Sequence, residues 1–103
     1  MKSSSEIRFD FQNAMQQAQK LDELANDIDR RVANKLDETA QNVHAAWKGD
    51  SATLYIGKTQ ELRQQVQQTA KTLRDTAEDI RRIARRIYEA EMRALEIAQS
   101  RNS

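Results

Sequence analysis

Only one place along this chain is equipped to reverse its direction. Pro is absent and Gly occurs twice, at Gly49 and Gly57. Gly49 lies near the middle, in Ala46-Trp47-Lys48-Gly49-Asp50-Ser51, two residues after the single Trp. Gly just past a helical run takes the left-handed conformation at no steric cost and so ends the helix. Asp or Ser after it offers a side-chain oxygen to the first free N–H groups of a new helix. The stretch predicts one helix ending and another beginning within a few residues, and so short a connection makes them antiparallel neighbours.

The rest of the composition agrees with long helices. Ala, Glu, Gln, Arg and Lys dominate a chain of 103 residues, the length of one domain. Without Cys there is no disulfide framework and no thiolate metal site. A net charge of +1 provides no field to steer an acidic partner. No apolar run is long enough to span a bilayer, so no membrane insertion is expected. Met1-Lys2-Ser3-Ser4-Ser5-Glu6 lacks the apolar core of a secretory signal, and export without a cleaved leader is the expectation.

Asp10 reads as the N-cap of the first helix, with Phe9 stapling its start. That helix is expected over about 11–46, with 1–9 as a frayed arm. Its apolar positions Ala14, Ala18, Leu21, Ala25, Ile28 and Val32 alternate steps of four and three, the heptad rhythm of a helix pair. A strict repeat would next place Lys35 inside. The stripe shifts instead to Leu36, Ala40, Val43 and Trp47, which reads as a four-residue stutter. Lys35 is expected to snorkel out of the seam. The turn occupies about 47–50 and the second helix about 51–98, with 99–103 frayed. Gly57 weakens the second helix by up to about 1 kcal/mol relative to Ala, and the close approach of a neighbouring backbone is its expected use. From Leu62 the stripe is unbroken through Val66, Thr69, Leu73, Thr76, Ile80, Ile83, Ile87, Ala90, Ala94 and Ile97, with Ala70, Ala77 and Ala84 beside it.

A hairpin buries one narrow seam per helix, yet Met15, Leu24, Leu36, Val43, Leu54, Tyr55, Tyr88 and Leu95 widen the apolar face. Leaving such residues in water forfeits about 1.5–3 kcal/mol for each large one. The expected architecture is an all-α, antiparallel helix-turn-helix hairpin that dimerises into a four-helix bundle. Its bundle face is formed by Leu21, Leu24, Ile28, Val32 and Leu36 on the first helix and by Leu62, Val66, Leu73, Ile80, Ile83 and Ile87 on the second. The second helix, being longer, is expected to overhang the start of the first from about Tyr88.

A chain of this length with Trp47-Lys48-Gly49 between two amphipathic helices resembles the WXG-hundred family. These are helical-hairpin proteins of type VII secretion, including the early secreted antigenic targets. The resemblance covers essentially the whole chain. It implies export by a membrane-embedded ATPase machine, and a homodimer or a heterodimer with a related hairpin. It also implies a C-terminal Tyr-X-X-X-Asp/Glu signal. Here Met92 stands four residues after Tyr88 and Glu91 stands three after it, so Tyr88 and Glu91 are the candidate for a variant export signal.

Each feature also has a plainer reading. Trp47 is either a packing anchor for the turn or, with Gly49, a notch that meets the secretion machinery. Tyr88 is either an interface residue or part of a recognition signal. Arg81, Arg82, Arg85 and Arg86 form the one basic cluster. Interleaved acids make it a solvated face, with Glu78–Arg82, Arg85–Glu89 and Glu89–Arg93 as the expected pairs, so no nucleic acid is expected. It could also meet an acidic patch on a cognate partner. His44, the one His, lacks converging ligands or an orienting partner and is read as a surface residue. No cofactor, metal or catalytic site is expected, and the chain is not read as an enzyme.

The functional expectation is a small substrate or partner protein of a type VII secretion system. It would be cytoplasmic at first and then secreted as a folded dimer. One alternative is a chaperone-like targeting partner that binds the helical N-terminal domain of a larger secreted toxin. An alternative of another class is a cytoplasmic coiled-coil adaptor or nucleic-acid-binding dimer.

Overall fold

The computed structural model describes residues 1–102. Its regular elements are α1 (Ser4–Asp27), a π-helical turn (Ile28–Val32), α2 (Ala33–Ala46) and α3 (Asp50–Asn102), and no strand occurs among the described residues. The first three run on without a break as the first leg of the chain, and α3 follows the turn at residues 47–49.

α1 begins at Ser4, not near Phe11, so residues 4–9 are helical and not a frayed arm. The cap is Ser3, not Asp10. The Glu6 N–H donates to Ser3 Oγ at 3.2 Å, and Ser3 Oγ donates in turn to the Glu6 carboxylate at 3.3 Å. This is a variant of the capping box, with the carboxylate meeting the cap hydroxyl. Phe9 points to solvent with 68% of its surface exposed, and Ile7 is the residue buried at this end. At the far end α3 continues past Ala98 to Asn102, and Ser103 lies outside the described residues.

The chain divides into two compact units. One unit contains Met1–Leu21 and the chain from Asp75 on. Ile7, Ala18, Ala77 and Ala84 are its buried residues. The Phe11 and Tyr88 rings pack with centroids 4.9 Å apart, and Lys2 pairs with Glu91 at 3.3 Å, so its two legs are antiparallel.

The other unit is Asp22–Arg74, with Ala25, Ala33, Ala52, Thr59 and Ala70 buried. The Thr59 hydroxyl donates to the Tyr55 carbonyl at 3.0 Å, which satisfies the one buried polar side chain among the described residues. Arg74 donates to Asn26 Oδ1 at 2.9 Å and Asp29 Oδ2 at 3.2 Å. Arg63 Nε lies 3.0 Å from Asp37 Oδ1 but is too poorly aligned to donate, so this buried nitrogen is paired by charge alone.

The irregularity in the first leg differs in kind from a four-residue stutter. Ala25 and Ala33 are both buried, eight residues apart, where a heptad would bury Val32. The π-helical turn takes up the one extra residue. Lys35 is exposed and reaches Glu38 at 3.8 Å.

The seam also differs from the expected one. Ala70, Ala77 and Ala84 are buried, while Leu62, Ile83, Ile87 and Ile97, expected at the centre of the stripe, each leave about half their surface in solvent. Alanines let two helix backbones approach closely, and that contact turns the larger side chains to the flank.

Gly57 serves no close approach, because a Cβ added there meets nothing within 4 Å. Gly57→Ala is therefore expected to stabilise the chain by about 0.5–1 kcal/mol, read as a melting temperature raised by a few degrees. Gly49→Val should lower it, because Gly49 has φ +98°, which costs a β-branched residue about 1–3 kcal/mol. An unchanged melting temperature for Gly49→Val would mean that the turn has another geometry in solution.

Candidate interaction surface

The turn is built residue by residue. Trp47 is extended, with φ −118° and ψ 145°, and its N–H still donates to the Val43 carbonyl at 2.8 Å, closing α2. Gly49 makes the left-handed step. Its carbonyl then accepts from the Thr53 N–H at 3.2 Å and the Thr53 hydroxyl at 3.3 Å as α3 begins at Asp50. Asp50 sits in the first turn of α3, where its charge complements the helix dipole.

The backbone thus closes the turn without the Trp47 indole. Trp47 is 56% exposed, and its ring meets Tyr55 edge-on, with centroids 6.1 Å apart. Beside it His44, Trp47, Lys48, Gly49, Ala52, Thr53 and Ile56 line an open notch of about 210 Å³. Leu54 and Tyr55 are also exposed on this end of the unit. His44 is a surface residue, and no group of three or more His, Cys, Asp or Glu side chains able to hold a metal occurs among the described residues.

None of the candidate bundle-face residues is buried within the chain. In the unit containing the turn, Leu24, Val32 and Leu62 are exposed, while Ile28, Leu36, Val66 and Leu73 are half-buried. In the unit containing the N-terminus, Ile83 and Ile87 are exposed, and Leu21 and Ile80 are half-buried. Ile97 continues the exposed set along α3.

Tyr88 and Glu91 do not overhang. Tyr88 lies against Phe11, and Glu91 accepts from the Lys2 ammonium, which also reaches Asp10 at 2.9 Å. Ile7, Phe11, Ala84, Ile87, Tyr88 and Glu91 are among the residues around a notch of about 210 Å³ there. The hydrogen bond to Asp10, and then that to Glu91, raises the Lys2 pKa above its ordinary value. Any stability this pairing adds is therefore fully present below that ordinary value, and it is lost as pH climbs through the raised one, in the alkaline range. Lys2 was not legible as part of this corner because residues 1–9 read as a frayed arm, and Asp10 and Phe11 were read only as the cap and start of the first helix. The Ser3-to-Glu6 spacing of a capping box was the available signal.

The basic cluster is partly neutralised, by different pairs from those expected. Arg81 meets Glu78 at 2.8 Å and Arg82 meets Asp79 at 3.0 Å, both one turn back at i,i+3. The expected Glu78–Arg82, Arg85–Glu89 and Glu89–Arg93 pairs do not form among the described residues. No helix among those residues is long and apolar enough to cross a membrane.

A family model described as proteins of 100 residues with WXG matches residues 6–92. No curated protein and no solved structure matches the chain significantly.

Trp47→Ala tests whether the indole holds the turn. Since the ring is mostly exposed, the substitution should cost no more than about 1 kcal/mol and leave the helix content intact by circular dichroism. A drop of several kcal/mol in chemical denaturation would make Trp47 a packing residue.

Proposed function

Since the chain belongs to the WXG100 family, a family of small type VII secretion proteins, we propose that it is a substrate or partner protein of a type VII secretion system. It is exported as a folded helical dimer. The observation that carries this reading is the strip of exposed apolar side chains flanking an alanine seam. A hairpin stable alone would bury Leu24, Leu62, Ile83 and Ile87, and here each is exposed. Covering each such residue contributes on the order of 1.5–3 kcal/mol, which favours a second hairpin on that face. The exposed Trp47 and the notch beside it are the surface offered to the membrane ATPase or, in the chaperone-like version, to a larger toxin. Exposed aromatics of this kind serve as anchors in interfaces.

Tyr88 and Glu91 remain the proposed export signal, now with a structural cost attached to testing them. Tyr88→Ala with Glu91→Ala should abolish export while helicity and dimerisation persist. Export is measured as protein in culture supernatant against lysate, with a cytoplasmic marker controlling for lysis. Because the pair leans on Phe11 and Lys2, the matched control is Phe11→Ala with Lys2→Ala. It loosens the same corner and leaves both signal residues in place. Export by the control but not by the Tyr88/Glu91 variant supports the signal. Normal export by the Tyr88/Glu91 variant removes it, and loss in both makes the corner structural.

A further inference from the structure

A signal that a receptor reads has to be reachable, and Tyr88 and Glu91 are only partly so. The Glu91 side chain keeps 28% of its surface in solvent, and Tyr88 is half-buried. The N-terminal end of the chain covers both. Lys2 Nζ donates to Glu91 Oε1 at 3.3 Å and to Asp10 Oδ2 at 2.9 Å. The Phe11 ring lies against Tyr88, with centroids 4.9 Å apart. Lys2 itself precedes α1, which starts at Ser4, while Asp10 and Phe11 are consecutive residues within that helix. All five residues belong to one compact unit.

From this arrangement we propose that Lys2 is a latch that masks Tyr88 and Glu91 and so restrains export. The latch rests on the Tyr88/Glu91 signal of the proposed function and names how that site is regulated. A receptor that recognises a carboxylate brings cationic or N–H donors to it. The Lys2 ammonium already holds that place on Glu91 Oε1, and the Phe11 ring covers part of Tyr88. Receptor binding therefore competes with a contact inside the chain, and its apparent affinity falls with the fraction of molecules whose corner is open. The latch is built to release. No helix holds Lys2, and both of its ion pairs are open to solvent, where one pair shifts an equilibrium by up to about fivefold. Asp10 is the nearer of the two partners, so an ammonium displaced from Glu91 stays paired. Opening thus exposes the Glu91 carboxylate without leaving a lone cation beside it.

The test uses the full chain in its native host. Lys2→Gln removes the ammonium, and Lys2→Glu sets a carboxylate against Asp10 and Glu91. Both should raise the rate of export about two- to fivefold, followed by pulse labelling as protein in supernatant against lysate. In the purified chains, amide hydrogen exchange over residues 4–11 should quicken, while helix content by circular dichroism stays the same because Lys2 lies outside α1. Lys2→Arg keeps the cation and should export at the wild-type rate. So should Lys20→Gln, which removes the same charge at an exposed position. Unchanged export in both Lys2→Gln and Lys2→Glu overturns the latch. Reduced export also overturns it and makes Lys2 part of what the receptor reads. The same substitutions are then placed in the chain carrying Tyr88→Ala and Glu91→Ala, where export should stay abolished. A rise there overturns the latch, because the effect would not pass through the signal. Wild-type export by the Tyr88/Glu91 variant alone removes the signal and the latch together. Abolished export in that variant, beside unchanged export in the Lys2 variants, removes the latch and leaves the signal standing.

Discussion

The contact on which the rest depends is alanine against the opposing helix. No large side chain is fully buried anywhere among the described residues. The residues at 4% exposure or less are six alanines and Ile7. Alanine loses no side-chain entropy on burial and lets two backbones come near, but each one removes little apolar area from water. The chain therefore closes on itself with little hydrophobic gain and leaves its larger aliphatic side chains beside the seam. That division explains why one surface of a highly charged chain is so apolar. The chain belongs to a family whose members typically pair with helical partners.

Much of the fold is legible in the sequence, for identifiable reasons. Gly49 punctuates an otherwise Pro-free sequence, and the break between α2 and α3 falls beside it. The heptad rhythm marks which side of each helix is apolar. It does not say which edge of that side faces its own chain, because Leu, Ile and Ala alternate across a wide stripe. Size made Leu62, Ile83 and Ile87 look innermost, and the alanines took that place. The start of α1 was hidden for a different reason. Ser3, Ser4 and Ser5 resemble a solvated arm, yet the same Ser3 supplies the oxygen that caps the helix. In the Arg cluster the charges were legible and the spacing was not. Salt bridges at three and at four residues are nearly equal in energy, so rotamers decide between them.

The candidate interaction surface was legible to a similar degree. Trp47 and Gly49 stand out by rarity alone, and the structure separates their roles: Gly49 bends the chain, and Trp47 is left for solvent or a partner. Tyr88 and Glu91 were singled out by family resemblance and not by physics. What the structure adds is that Phe11 and Lys2 already occupy part of their surroundings. Any receptor that reads the pair reads it in company with the N-terminal end of α1.

The π-helical turn at Ile28–Val32 joins α1 to α2 without a break in the helical backbone. In an unbroken α-helix, residues eight apart differ by about 80° around the axis. Ala25 and Ala33 could not then both face the seam, nor Leu24 and Val32 both line the exposed flank. The wider turn removes that angular error. The cost of one extra residue is thereby confined to five, and every side chain beyond it keeps its heading. Rotation about the axis, more than length, is what the chain has to conserve between Ala25 and Ala33.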